Sequence, residues 1–210
     1  MDVVDPAIAA YLRDLQPSPD AVLQQMRLSG EKRGFPIINL LVGRLCEQLA
    51  RSIEARRVFE LGSGFGYSTM WFARAVGAKG QVIHTENDPA LSAEAKQWLT
   101  KAKLARRVDF RLGDDAVDLL KADRRLNDVV FCDIDKEGYP AAWDVARKRV
   151  RVGGLVITDN TLWHGTVTRK PQDDAEAGVQ EYNRRAFSDK AFLSTLMPVR
   201  DGVTVSLRLR

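Results

Sequence analysis

The sequence predicts an α/β fold: a doubly wound, mostly parallel sheet with helices on both faces, preceded by helices and ended by an antiparallel strand. Three observations predict it. From Arg57 onward, short apolar runs alternate with amphipathic segments. Several runs lack the two-residue alternation of a half-exposed sheet, as parallel strands covered on both faces do. The tail carries two further runs joined at a glycine turn. At 210 residues the chain suits one domain, with an N-terminal helical cap over residues 1–56 and an α/β core over 57–210.

In the cap, SPDAVLQQMRLSG opens at Ser18-Pro19, a candidate helix start, and closes at Gly30. RGFPIINLLVGRLCEQLARSI then places Ile37, Leu40, Leu41, Leu45 and Leu49 at the spacings of one helix face. The core strands are expected at Val58–Leu61, Gln81–Glu86, Val108–Leu112, Val129–Asp133 and Leu155–Asp159. GYSTMWFARAVG, PALSAEAKQWLTKAKLA, AVDLLKA and YPAAWDVARKRVRVGG supply the helices between them. The polar TRKPQDDAEAG reads as a mobile surface loop. FLSTLMPVRDGVTVSLRLR then gives two runs joined through Asp201-Gly202, a hairpin signal that brings the strand total to seven.

Composition narrows the function classes. Apolar residues are 45% and charged residues 29%, an ordinary soluble balance. No apolar run approaches the ~20 residues that span a bilayer. The N-terminus carries Asp2 and Asp5 without a basic leader, so a cytoplasmic, membrane-free protein is expected. Cys46 and Cys132 lie in apolar settings and read as buried free thiols. With only His84 and His164, a multi-histidine metal site is nearly excluded. The net charge of +4 is spread through pairs such as Arg56-Arg57, Arg106-Arg107 and Arg184-Arg185. Such pairs are usually solvated faces, with a polyanionic substrate as the alternative.

The first chemical signal is VFELGSGFGYS, where Gly62, Gly64 and Gly66 alternate between a strand and a helix. Glycines there let the backbone approach a ligand, and the helix start offers free N–H groups. Glu86, about 20 residues on, ends the next strand, where an acid suits ribose hydroxyls. An ordinary β–α turn with solvated acids is the competing reading. The G-x-G-x-G spacing is not that of a dinucleotide fingerprint. Glu60, just ahead of the glycines, would repel a pyrophosphate and suits a ligand carrying an ammonium group. Both features disfavour an NAD-dependent oxidoreductase.

FELGSGFGYS, HTENDP, DIDKEGYP and ITDNTLWHG, in this order, resemble the cation-dependent class I O-methyltransferases, relatives of catechol and caffeoyl-CoA O-methyltransferases. The resemblance covers roughly Ile37 to Leu209. It implies a Rossmann-like fold, S-adenosylmethionine as methyl donor, and a homodimer paired through the N-terminal helices. It implies cofactor contacts at Glu60, Gly62, Ser68, Glu86 and Asp133, with the ribose on Glu86. Asp114 would lie near the adenine, although Asp114-Asp115 also reads as a solvated helix start.

DIDKEGYP and ITDNTLWHG each put an aspartate, Asp133 or Asp159, at the end of an apolar strand. The segment between them is long enough for one crossover helix, which would place both acids at the same sheet edge, ~5 Å apart. Two carboxylates there repel unless a proton or cation lies between them. Asn160 adds a neutral oxygen, and such a trio suits Mg²⁺, with Mn²⁺ or Ca²⁺ as substitutes. Turn formation after a strand is the bland alternative. The resemblance assigns metal ligation to Asp133, Asp159 and Asn160, and proton abstraction to Lys136. A cation beside Lys136 would disfavour its ammonium form. Trp163 and Tyr139 are candidates for an aromatic acceptor pocket, with a core or rim position as the equal alternative for each; Trp143 is expected in the core, and His164 reads as a loop histidine, with a second base as the alternative.

The function implied is metal-dependent methylation of a hydroxyl on a small catechol-like aromatic with vicinal oxygens. Methylation of a tRNA hydroxyl is one rival, using the surplus arginines on phosphates. A non-catalytic nucleotide-binding protein is another.

Overall fold

The structure, a computed structural model, describes residues 4–210; Asp2 lies outside them. Three helices come first. Helix α1 (Pro6–Asp14) begins where Asp5 accepts the Ala7 N–H at 2.8 Å. Helix α2 (Ala21–Lys32) is capped by Asp20, at 2.9 Å to the Val22 N–H and 3.1 Å to Leu23. The start is therefore two residues beyond the expected Ser18, and the helix runs past Gly30. Helix α3 (Leu40–Ser52) begins at the Asn39 cap, so Ile37 precedes it instead of sharing its face. Its buried face is Val42, Gly43, Cys46 and Ala50, offset from the expected leucines, which are half-buried. Gly43 explains the offset: a Cβ there would collide with the Trp71 indole, so the bare backbone lets that ring lie against the helix.

The seven strands are β1 (Arg57–Leu61), β2 (Gln81–Glu86), β3 (Val108–Leu112), β4 (Asn127–Cys132), β5 (Val150–Thr158), β6 (Phe192–Met197) and β7 (Val203–Arg208). They form one sheet in the order β3-β2-β1-β4-β5-β7-β6. Pairs from β3 to β5 are parallel, and β7 runs antiparallel to both β5 and β6. The order reverses between β1 and β4, which opens a crevice at their carboxyl ends.

Helices α4 (Tyr67–Ala75), α5 (Pro89–Lys101), α6 (Ala116–Ala122), α7 (Tyr139–Arg149) and α8 (Asp174–Ser188) complete the layers. Two apolar cores result. Leu23, Met26, Val42, Cys46, Trp71, Phe72 and Leu99 pack with Val58, Val129 and Phe131 on one face. Leu120, Trp143, Ala146, Val179 and Tyr182 pack with Phe59, Leu61, Val130 and Val156 on the other. Successive residues of β1 and β4 thus feed opposite cores, which is why these runs read as continuously apolar. Because α2 and α3 share the first core, the cap and the sheet are one packed unit. Trp143 lies in the second core against Tyr182 and Phe192, and both cysteines are free and buried.

TRKPQDDAEAG is only partly a loop. Asp173 caps α8 by accepting the Glu176 N–H at 2.8 Å, and the buried Glu176 side chain takes Arg169 at 2.6 Å. Asp-x-x-Glu is a helix-start pattern that this polar composition hides. Among the described residues no helix is long and apolar enough to cross a membrane.

Candidate active site

A cavity of about 960 Å³ occupies the crevice at the carboxyl ends of the strands. That is near the upper limit for small-molecule sites, with room for a nucleoside and a second reactant. Its walls come from the loops after β1, β2, β3, β4 and β5, the turn before β7, and Phe35–Ile38 of the cap.

The glycine loop makes one wall. Gly62 has φ 77°, and a Cβ there would lie 2.5 Å from the Asp133 carbonyl oxygen, so the β1 and β4 loops touch through bare backbone. Ser68, in the first turn of α4, lines the cavity. So does Glu86, whose carboxylate is fixed by backbone donors: Gly64 N–H at 2.8 Å, and those of Asn87 and Asp88 at 3.0 Å. Asp114 lines the cavity as well, and Asp115 also caps α6 through the Val117 N–H at 2.6 Å. The two acids read together in the sequence thus differ in task.

Glu60 departs from expectation. Strand alternation turns its side chain under the loop, towards α4, where it is fully buried and forms no part of the cavity wall. Thr69 Oγ1 donates to it at 2.6 Å, and burial pushes its carboxyl up to about 7 against hydrogen bonds from Ser68, Thr69 and Ser63. His84 lies 3.1 Å from the same Thr69 hydroxyl, and burial lowers it to about 4, so the imidazole is neutral. In this structure Glu60 anchors the loop from below, with Oε1 left without a hydrogen-bond partner.

The ends of β4 and β5 make the opposite wall. Cys132 pairs with Thr158, so Asp133 and Asp159 follow neighbouring positions, and the Asp159 N–H donates to the Cys132 carbonyl at 3.2 Å. Asp133 faces the cavity. Lys136 Nζ donates to its Oδ1 at 3.1 Å and to the Ile134 carbonyl at 3.0 Å. The ammonium lies over the Tyr139 and Trp163 rings, 5.0 and 5.3 Å from their centroids. Helix α8 holds this turn closely, since a Cβ at Gly178 would overlap the Lys136 carbonyl.

Asp159 is fully buried one layer behind the wall. Its Oδ2 accepts from Arg200 Nη1 at 3.3 Å, while Oδ1 has no partner. Burial, then the charge of Asp133, pushes its carboxyl up to about 7, opposed by Arg200. Asn160 follows at φ 55° and lines the cavity. Of its two readings Tyr139 takes the core one: it is fully buried, and its hydroxyl donates to the Asp159 carbonyl at 2.8 Å, so it props this strand end and forms no part of the cavity wall. Trp163 does line the cavity, beside an exposed His164.

Among the described residues, six other than glycine have positive φ, and four of them, Asn160, Trp163, His164 and Arg200, line the cavity. Each costs on the order of 1–2 kcal/mol, and such strain gathers at functional sites. Sequence reasoning missed Arg200, which carries no local signal. The wall from Phe35 to Ile38 lies in GFPIINLLVG, the segment that in relatives of the resembled family commonly covers the substrate.

Asp133, Asp159 and Asn160 fit a hard divalent ion in donor chemistry: two carboxylates and an amide, one carboxylate oxygen buried without a partner. No group of three or more His, Cys, Asp or Glu suited to a metal occurs among the described residues, so a site here would rest on two carboxylates and the Asn160 amide.

Comparison with known proteins agrees with this architecture. The O-methyltransferase family model matches residues 18–209. The catechol O-methyltransferase of Niastella koreensis is 30% identical over 194 residues, covering 89% of this chain and 87% of the relative. That of Mycobacterium tuberculosis is 34% identical over 173 residues, covering 82% and 72%. The solved structure of the O-methyltransferase TomG from Streptomyces achromogenes, in complex with SAM, superposes with a TM-score of 0.87 at 26% identity, covering 97% and 96%. With most of its length matched by the family model, the chain belongs to the O-methyltransferase family and is an O-methyltransferase.

Proposed function

We propose that this O-methyltransferase transfers the methyl of S-adenosylmethionine to one hydroxyl of a small aromatic bearing vicinal oxygens, with a divalent ion at Asp133, Asp159 and Asn160. The observation that carries this reading is the partnerless buried oxygen of Asp159 behind the cavity wall that Asp133 and Asn160 form. A catechol-like acceptor is supported by the relatives' names and by the half-buried Trp163 beside Lys136.

Glu86 is the partner for the ribose hydroxyls, since backbone donors already fix its carboxylate. Asp114 and Ser68 border the same compartment. A bound Mg²⁺ or Mn²⁺ would lower the cost of ionising the acceptor oxygens. Lys136, after releasing its own proton, takes that of the reacting hydroxyl. The acceptor oxygen then attacks the methyl carbon in line: an O–CH₃ bond forms, the S–CH₃ bond breaks, and its electron pair stays on sulfur. The chain mainly orients two reactants in a cavity with one charged and one apolar side. Phe35, Ile37 and Phe65 supply the apolar side.

Pairing of two copies is assigned to α1 and its C-terminal cap, where Ile8, Tyr11 and Leu15 are 54, 63 and 58% exposed. Light scattering at a dimer mass would support it, and a monomer would refute it. The test of the activity is transfer from labelled S-adenosylmethionine to caffeic acid, with Mg²⁺ or with excess EDTA. Transfer abolished by EDTA is expected. Equal transfer in both tubes would remove the metal from the reading.

A further inference from the structure

Arg200 occupies an unusual place. It is the second residue of a four-residue turn, Val199 to Gly202, closed by the Gly202 N–H on the Val199 carbonyl at 3.0 Å. With φ 55° it stands where glycine or asparagine is the comfortable residue. The turn is tied to the loop after β5. Thr161 N–H donates to the Gly202 carbonyl at 3.0 Å, Leu162 N–H to the Asp201 carbonyl at 2.9 Å, and His164 N–H to Asp201 Oδ1 at 2.6 Å. The scaffold therefore presents a long cationic side chain, in a strained conformation, to the end of β5. Its guanidinium lines the cavity and reaches the fully buried Asp159.

Both acids at the sheet edge thus already face a cation of the chain: Asp133 meets Lys136, and Asp159 meets Arg200. Lys136 leaves Asp133 on the cavity wall, whereas no part of Asp159 is accessible beside Arg200. We propose that Arg200 is a positioning residue that acts as the resident counter-ion of Asp159 and competes with the divalent ion for it, setting a weak metal affinity. This rests on the reading of Asp133, Asp159 and Asn160 as the metal donors. Two positive charges brought to one carboxylate repel, so metal occupancy and the Arg200–Asp159 contact oppose one another.

The test is calorimetric titration of Mn²⁺ into the full chain and into R200G and R200K, without acceptor. R200G is a fair variant, because glycine suits the left-handed position and the fold should tolerate it. R200G is expected to bind Mn²⁺ roughly tenfold or more tightly than the parent, as removal of a nearby like charge predicts. R200K, which keeps the charge, is expected to stay close to the parent. Equal or weaker binding by R200G overturns the assignment and leaves the metal reading standing. Binding by neither the parent nor R200G overturns both.

Discussion

Asp133 and Asp159 end neighbouring parallel strands one residue beyond a paired Cys132 and Thr158, yet they live in different media. Asp133 lies on the cavity wall with a local lysine, three residues on, across its Oδ1. Asp159 is enclosed, its carboxyl pushed up to about 7, and the cation it contacts arrives from a turn 41 residues away. The difference teaches that strand position sets where an acid stands, while distant packing sets how readily it holds charge. One acid is poised to meet ligands, the other to require a positive partner.

The largest effect should come from breaking the Asp133 side. Lys136→Ala is expected to lower kcat by ~10²–10⁴-fold, the range of a general base. Calorimetric affinity for S-adenosylhomocysteine should stay unchanged, and Lys136→Arg should not restore turnover, because a guanidinium does not give up its proton. A parallel loss of cofactor affinity would make Lys136 a structural residue instead.

Breaking the acids themselves comes next. Asp133→Asn and Asp159→Asn should each reduce methyl transfer by more than ~100-fold, beyond the loss typical of residues that only support a metal's ligands. Full activity in Asp159→Asn would show that the enclosed acid is scaffold alone.

A third prediction extends the contrast to Glu60, the other enclosed acid. Glu60 ordinarily titrates near 4.5 and is raised to about 7 in the fold. Between those values the folded chain holds a proton that the unfolded chain has released, so stability falls as pH rises through this window. The contribution is on the order of 3 kcal/mol. Glu60→Gln cannot ionise and should flatten the decline in Tm from pH 5 to pH 8. An unchanged slope would remove Glu60 as its source.

The smallest effect tests the prop beneath Asp159. Tyr139→Phe deletes one buried hydrogen bond and should cost about 1 kcal/mol in urea unfolding. Acceptor KM should not move, because the ring forms no cavity wall; a raised KM would return Tyr139 to the pocket.

The strand runs and the glycine loop were legible in the sequence because alternation, spacing and strand ends are local properties. Asp133, Lys136, Asp159 and Asn160 could be placed near one another for that reason. The burial of Glu60 was not legible, because its spacing to the glycines says nothing about which face of β1 it takes, and alternation turns it inward. Tyr139 stayed open between pocket and core, because a tyrosine opening a helix has no mark separating wall from prop. Arg200 was invisible: only the folding of the hairpin beside β5 brings it to Asp159. The mobile loop expected before α8 hid a cap, since polar composition and a helix start draw on the same residues.

The most direct test of the account is a crystal structure with S-adenosylhomocysteine and saturating Mn²⁺, recorded for anomalous scattering. A peak is expected about 2.1 Å from oxygens of Asp133, Asp159 and Asn160, with Arg200 withdrawn from Asp159. No peak there, with Arg200 still on Asp159, would contradict it.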